Sequence, residues 1–224
     1  MGPNMEIKRM TLFAGHYGSG KTNIAVNYAL WLAKQGRKTA LGDLDIVNPY
    51  YRAKDSQADL EAAGVRVIAS AYANSNVDVP ALPQEMYALT EMLDTCAVLD
   101  IGGDDRGALA LGRYVPAIVR ENDYDMLFVF NRSRPLTRNA RSALGILREI
   151  EEACQLPFTG IVHNTNLGRE TTAETVLSAL PALEELMRLS GLPLRFTAAR
   201  RDIAPLLPAE LGEIFPMELQ KTIW

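Results

Sequence analysis

The chain has 224 residues, 48% of them hydrophobic and 22% charged, with a formal net charge of -4, the make-up of an ordinary globular protein. The acidic balance disfavours a general polyanion binder, and no apolar run approaches the roughly 20 residues needed to span a bilayer. Cys96 and Cys154 are too far apart for a C-x-x-C pattern, so neither a disulfide framework nor a zinc or iron–sulfur site is indicated, and a reducing cytoplasm is the simplest setting.

The start, "MGPNMEIKRM", has no apolar core of a signal peptide. Residues 1–4, ahead of a second methionine, read as a remnant of expression, and residues 5–224 as one domain. Short apolar runs then recur at 7–15, 38–43, 65–70, 97–102, 125–131, 158–164 and 192–198. Most are continuously apolar, as strands covered on both faces require. Helical patterns separate them at 21–35, 84–94, 105–120, 137–154 and 171–190. This alternation predicts an α/β fold, three layers with a mostly parallel central sheet of about seven strands. The longest irregular stretch, residues 70–83, reads either as a plain connector or as a lid or partner loop.

The first strand runs into "GHYGSGKT". Gly15 and Gly20-Lys21-Thr22 satisfy G-x-x-x-x-G-K-[ST], the phosphate-binding P-loop pattern. A strand ending at Ala14 and a helix starting near Gly20 let backbone N–H groups turn inward as an anion nest, backed by the positive end of a helix dipole. The segment Gly15, His16, Tyr17, Gly18, Ser19, Gly20, Lys21, Thr22 and Asn23 is therefore expected to wrap a magnesium-bound triphosphate. Lys21 would reach the β- and γ-phosphate oxygens, and the Thr22 hydroxyl would ligate Mg²⁺.

Ligands of open α/β sheets bind outside the carboxyl ends of the strands, and acids gather there. Asp43 and Asp45 follow "KTALG" and, two apart, project to one side; Asp100 follows "AVL". Asp100 is expected to hold the Mg²⁺ shell, and Asp45 to stand beside the metal and orient the attacking water. Asp43 reads equally as a structural partner of the loop or as part of the metal shell. Gly103 could offer its N–H to a γ-phosphate. The set Lys21, Thr22, Asp45, Asp100 and Mg²⁺ suffices for phosphoryl transfer, which depends on positioning and charge neutralisation. His16 and His163 are not spaced to share a metal.

Taken in order, "GHYGSGKT", "GDLDIVNPYYR", "AVLDIGGDD" and "IVHNTN" resemble the MinD/ParA/CobQ-type nucleotide-binding domains, P-loop ATPases with a deviant Walker A motif. The resemblance runs from Met10 to about Arg201. It implies an ATP-dependent switch, often a face-to-face dimer with nucleotide sandwiched between subunits. In that family a second lysine crosses the dimer to the partner's phosphates; here its place is taken by His16, and Tyr17 replaces a glycine.

Guanine readers on related folds use N-K-x-D, whereas "NTNL" puts Leu167 where the acid would stand, which favours adenine. The Asn164 amide can pair with adenine N6 and N7; Asn131 and Asn166 read as base-side contacts or as turn caps. The ending "ELGEIFPMELQKTIW", acidic and interrupted by Pro216, is a poor membrane anchor. "RSRPLTRNAR", with Arg132, Arg134, Arg138 and Arg141, reads first as a solvated face, with a surface for nucleic acid or an acidic partner as the alternative. "NPYYR", residues 48–52, is either a partner-coupling segment or helix packing. The leading expectation is an ATP hydrolase switch acting on a protein partner or in a homodimer. A small-molecule kinase or ligase resembling dethiobiotin synthetase, and an ATP sensor without turnover, are the alternatives.

Overall fold

The apolar run Met10–Ala14 forms strand β1, with all five residues buried. In this computed structural model, which describes residues 5–44, 56–69, 84–102 and 111–219, β1 lies inside an eight-stranded sheet. The other strands are β2 (Thr39–Leu44), β3 (Arg66–Ala69), β4 (Cys96–Ile101), β5 (Tyr124–Phe130), β6 (Gly160–His163), β7 (Leu194–Arg200) and β8 (Ile214–Met217). Their order across the sheet is β3-β2-β4-β1-β5-β6-β7-β8, and all seven pairings are parallel.

Seven of these strands coincide with the apolar runs, shifted by a few residues at their ends. The eighth was not expected, because Pro216 reads as an interruption. Among the described residues strand β8 is an edge, paired with β7 alone. Proline lacks a ladder N–H, and an edge strand is where that loss is tolerated.

The helices are α1 (Lys21–Lys34), α2 (Gln57–Ala62), α3 (Gln84–Glu91), α4 (Val115–Glu121), α5 (Ala140–Cys154), α6 (Ala173–Leu177) and α7 (Leu180–Ser190). The pattern over 171–190 predicts a single helix, but two form. The Thr172–Thr175 capping box starts α6, and Pro181 sits in the first turn of α7, where its missing N–H leaves no bond unmade. Helix α5 begins at Asn139, whose side chain accepts from Ser142 N, and ends at Gln155 in the left-handed conformation.

Strand alternation sends side chains to two faces. Phe13, Leu41, Val98 and Val129 pack with Ile24, Tyr28 and Leu32 of α1 and Leu60 of α2. Leu12, Ala14, Leu99 and Phe130 pack with Leu89 of α3, Ile118 of α4, Leu147 of α5 and Leu186 of α7. Each large apolar side chain buried this way contributes about 1.5–3 kcal/mol. Helices thus cover both faces, giving the three layers. Because α1 leaves β1 on one face and α5 leaves the adjacent β5 on the other, a crevice opens at the carboxyl ends of β1 and β5. That reversal is where open α/β sheets place ligands.

Candidate functional site

The loop leaving β1 opens into this crevice. Gly18 has φ +73 and Gly20 φ +94, left-handed conformations that side-chain-bearing residues adopt at a cost. Gly20 is the N-cap of α1, which has neither a capping side chain nor an acidic residue in its first turn. The positive end of α1 is therefore left to whatever the loop encloses. Lys21 is 4% exposed, and Ser19 and Thr22 are also buried. Among the described residues no carboxylate lies within ion-pairing distance of Lys21.

The loop's outward carbonyls are taken by side chains from the neighbouring strand ends. Ser19 O accepts from Asn164 Nδ2 at 2.7 Å, and Gly18 O accepts from Arg134 Nε at 2.6 Å. Within the loop, Ser19 N donates to His16 O at 3.1 Å, and Ile24 N to Gly20 O at 3.1 Å. A Cβ added at Gly20 would collide with the Asn164 amide. Asn164 itself is held by the next loop, where Asn166 Nδ2 donates to Asn164 O at 2.8 Å. Asn131 Oδ1 accepts from Ser133 N at 3.0 Å, so this side chain caps the turn after β5.

Asp100 on β4 lies beside Phe13 of β1 on one side and Asp43 of β2 on the other. Asp43 lies two residues beyond Leu41, and Asp100 two beyond Val98, each on the same face of its strand. Both apolar residues belong to the face packed by α1, so the two carboxylates point to the same side as the start of that helix. Both are buried. The structure thus brings Lys21, Thr22, Asp43 and Asp100 to one face and one end of the sheet.

Other expected residues are placed differently. Tyr17 is 53% exposed at the loop tip. His16 is partly buried, and its pKa is held below the usual imidazole range first by that burial and then by the charges of Lys21 and Arg134, with Glu149 opposing. The Asn23 side chain turns to β8, with Nδ2 4.0 Å from Met217 Sδ. The Asn164 amide, expected to meet adenine, donates one of its two N–H groups to Ser19 O, while its Oδ1 has no hydrogen-bond partner among the described residues. Asp45, Gly103, residues 48–52 and the 70–83 loop lie outside the described residues. Sequence reasoning missed Arg134 as a neighbour of the loop; the one available signal was its basic stretch directly after the strand beside β1.

A glycine-bearing loop between a buried strand and a bare helix start, with two acids on the adjacent strands, is the architecture of P-loop nucleotide-binding proteins. The chain belongs to the CobQ/CobB/MinD/ParA nucleotide binding domain family, whose profile it matches over residues 11–178. No curated protein matches it. Among solved structures it is similar to the cell division protein FtsY of Thermotoga maritima, at 19% identity and TM-score 0.56, over 88% of this chain and 63% of that one. The chloroplast FtsY of Physcomitrella patens is similar at 16% identity and TM-score 0.56, over 87% and 59%. The 54 kDa signal recognition particle protein of Aeropyrum pernix K1, in complex with GDP, is similar at 16% identity and TM-score 0.51, over 86% and 41%. The chain spans less than two thirds of the length of each, and at these identities the likeness is one of fold.

Proposed function

We propose that the protein is a Mg²⁺-dependent switch that binds and hydrolyses ATP, with hydrolysis controlling a protein partner or a second copy of the chain. The observation that carries this reading is the meeting of buried Lys21 and Thr22 with Asp43 and Asp100 on one sheet face, at the mouth of an uncapped helix. A polyphosphate fits the loop, because its N–H groups, the helix start and Lys21 all favour negative charge.

Magnesium fits the donor set. It takes hard oxygen ligands, typically one or two carboxylates with phosphate and water completing the shell, which Thr22, Asp100 and the proposed Asp45 would supply. Bound there, it would neutralise charge on the phosphates. Lys21 holds the terminal phosphate oxygens, the loop fixes the chain of phosphates for in-line attack, and Asp45 orients the attacking water. Gly103 would sense the γ-phosphate through its N–H. Leu167, standing in the loop after β6 where guanine readers carry an acid, favours adenine. The GDP held by the Aeropyrum pernix relative makes GTP the competing nucleotide.

Phosphate release tests this. Turnover of ATP above GTP, lost on Lys21→Ala and reduced at least a hundredfold on Asp45→Ala, supports it. Turnover that appears only with an added small carboxylate or hydroxyl compound, or that survives Lys21→Ala, contradicts it.

A further inference from the structure

Arg134 stands four residues beyond the end of β5, in the crevice between β5 and β1, and reaches the P-loop across 116 residues of sequence. Its Nε–H donates to Gly18 O at 2.6 Å, and a Cβ at Gly18 would lie 3.2 Å from that nitrogen. The trans peptide sets Ser19 N–H opposite the Gly18 carbonyl, and that N–H closes the turn on His16 O. Arg134 therefore fixes one peptide of the loop tip. Asn164 fixes the next and directs Gly20 N–H the other way.

The two clamps differ in charge. A neutral amide satisfies the Ser19 carbonyl, and one would equally satisfy Gly18. A guanidinium there adds a positive charge beside His16, whose imidazole is disfavoured from protonating first by burial and then by the charges of Lys21 and Arg134. Like charges gathered this way repel, and an anion among them relieves the repulsion. Only Nε of Arg134 is used: among the described residues its two Nη groups make no hydrogen bond or ion pair. A guanidinium with a free Nη pair is suited to phosphate oxygens.

We propose that Arg134 is the second cation of the phosphate cradle, positioning the loop tip through Gly18 and adding charge-based affinity for the polyphosphate whichever base it carries. The proposal rests on the nucleotide-binding reading above. It also assigns, within one chain, a cation that does not depend on a partner subunit at a loop where His16 replaces the family's second lysine.

Titrating Mg·ATP and Mg·GTP into the wild type and into Arg134→Ala, Arg134→Gln and Arg134→Lys, at two salt concentrations, tests it. Arg134→Gln keeps a donor for Gly18 and removes the charge. The expected result is affinity at least tenfold weaker for both nucleotides, and a flatter salt dependence, in Arg134→Ala and Arg134→Gln. Arg134→Lys should recover the salt dependence and part of the affinity. Wild-type affinity and salt dependence in Arg134→Gln would reduce Arg134 to a neutral brace and overturn the inference while leaving the nucleotide site standing. If the wild type binds neither nucleotide, both readings fall together.

Discussion

Asn164 Nδ2 donates to Ser19 O at 2.7 Å, tying the end of β6 to the tip of the loop that follows β1. Asn164 is 1% exposed, so the bond is sheltered from water and the two loops form one hydrogen-bonded unit. Removing a buried partner leaves the carbonyl unsatisfied at a cost of about 1–3 kcal/mol. Asn164→Ala is therefore expected to weaken Mg·ATP and Mg·GTP binding by similar factors, roughly tenfold each. Loss confined to ATP, in parallel titrations, would return Asn164 to reading the adenine edge.

Gly20→Ala combines two penalties at one position. The residue sits at φ +94, where a Cβ costs about 1–2 kcal/mol, and the added methyl collides with the Asn164 amide. The substitution is expected to lower the free energy of unfolding, read by urea titration, by at least that amount and to abolish nucleotide binding in the fraction that folds. A Gly20→Ala protein with wild-type stability and affinity would show that the loop does not hold this conformation.

His163, at the end of β6, is fully buried near Phe130 and Thr197. Burial alone pushes its pKa down to about 4. The unfolded chain titrates this group near 6.5, so the unfolded state binds the proton first as pH falls. The stability held above pH 6.5 is lost progressively down to pH 4, and about 2 kcal/mol of it goes between pH 7 and pH 5. Partly buried His16 is shifted in the same direction. Urea unfolding of His163→Leu across that range should show most of the pH dependence removed; an unchanged slope would mean that His163 does not carry it.

The buried half of the architecture was legible because parallel strands covered on both faces must be apolar runs, as in "MTLFA" and "DMLFVFN". Edge and surface features were not. Pro216 reads as a breaker until β8 is seen to stand at the edge of the sheet formed by the described residues. The split at 171–190 turned on Pro181 occupying a first turn, where it starts a helix as readily as it ends one. At the candidate site, the placing of Lys21, Thr22 and Asp100 at one end of the sheet was legible from local spacing and strand ends. The contacts of Arg134 with Gly18 and of Asn164 with Ser19 were not, because they depend on β1, β5 and β6 lying side by side.

On the proposed function, the loop from Gly15 to Thr22 closes around a magnesium-bound nucleoside triphosphate. Calorimetric titration of Mg·ATP into the wild type and into Lys21→Ala measures that binding without relying on turnover. The expected result is heat saturating at one nucleotide per chain in the wild type, larger affinity for Mg·ATP than for Mg·GTP, and no measurable binding in Lys21→Ala. No heat with either nucleotide, or undiminished binding without the lysine, would contradict it.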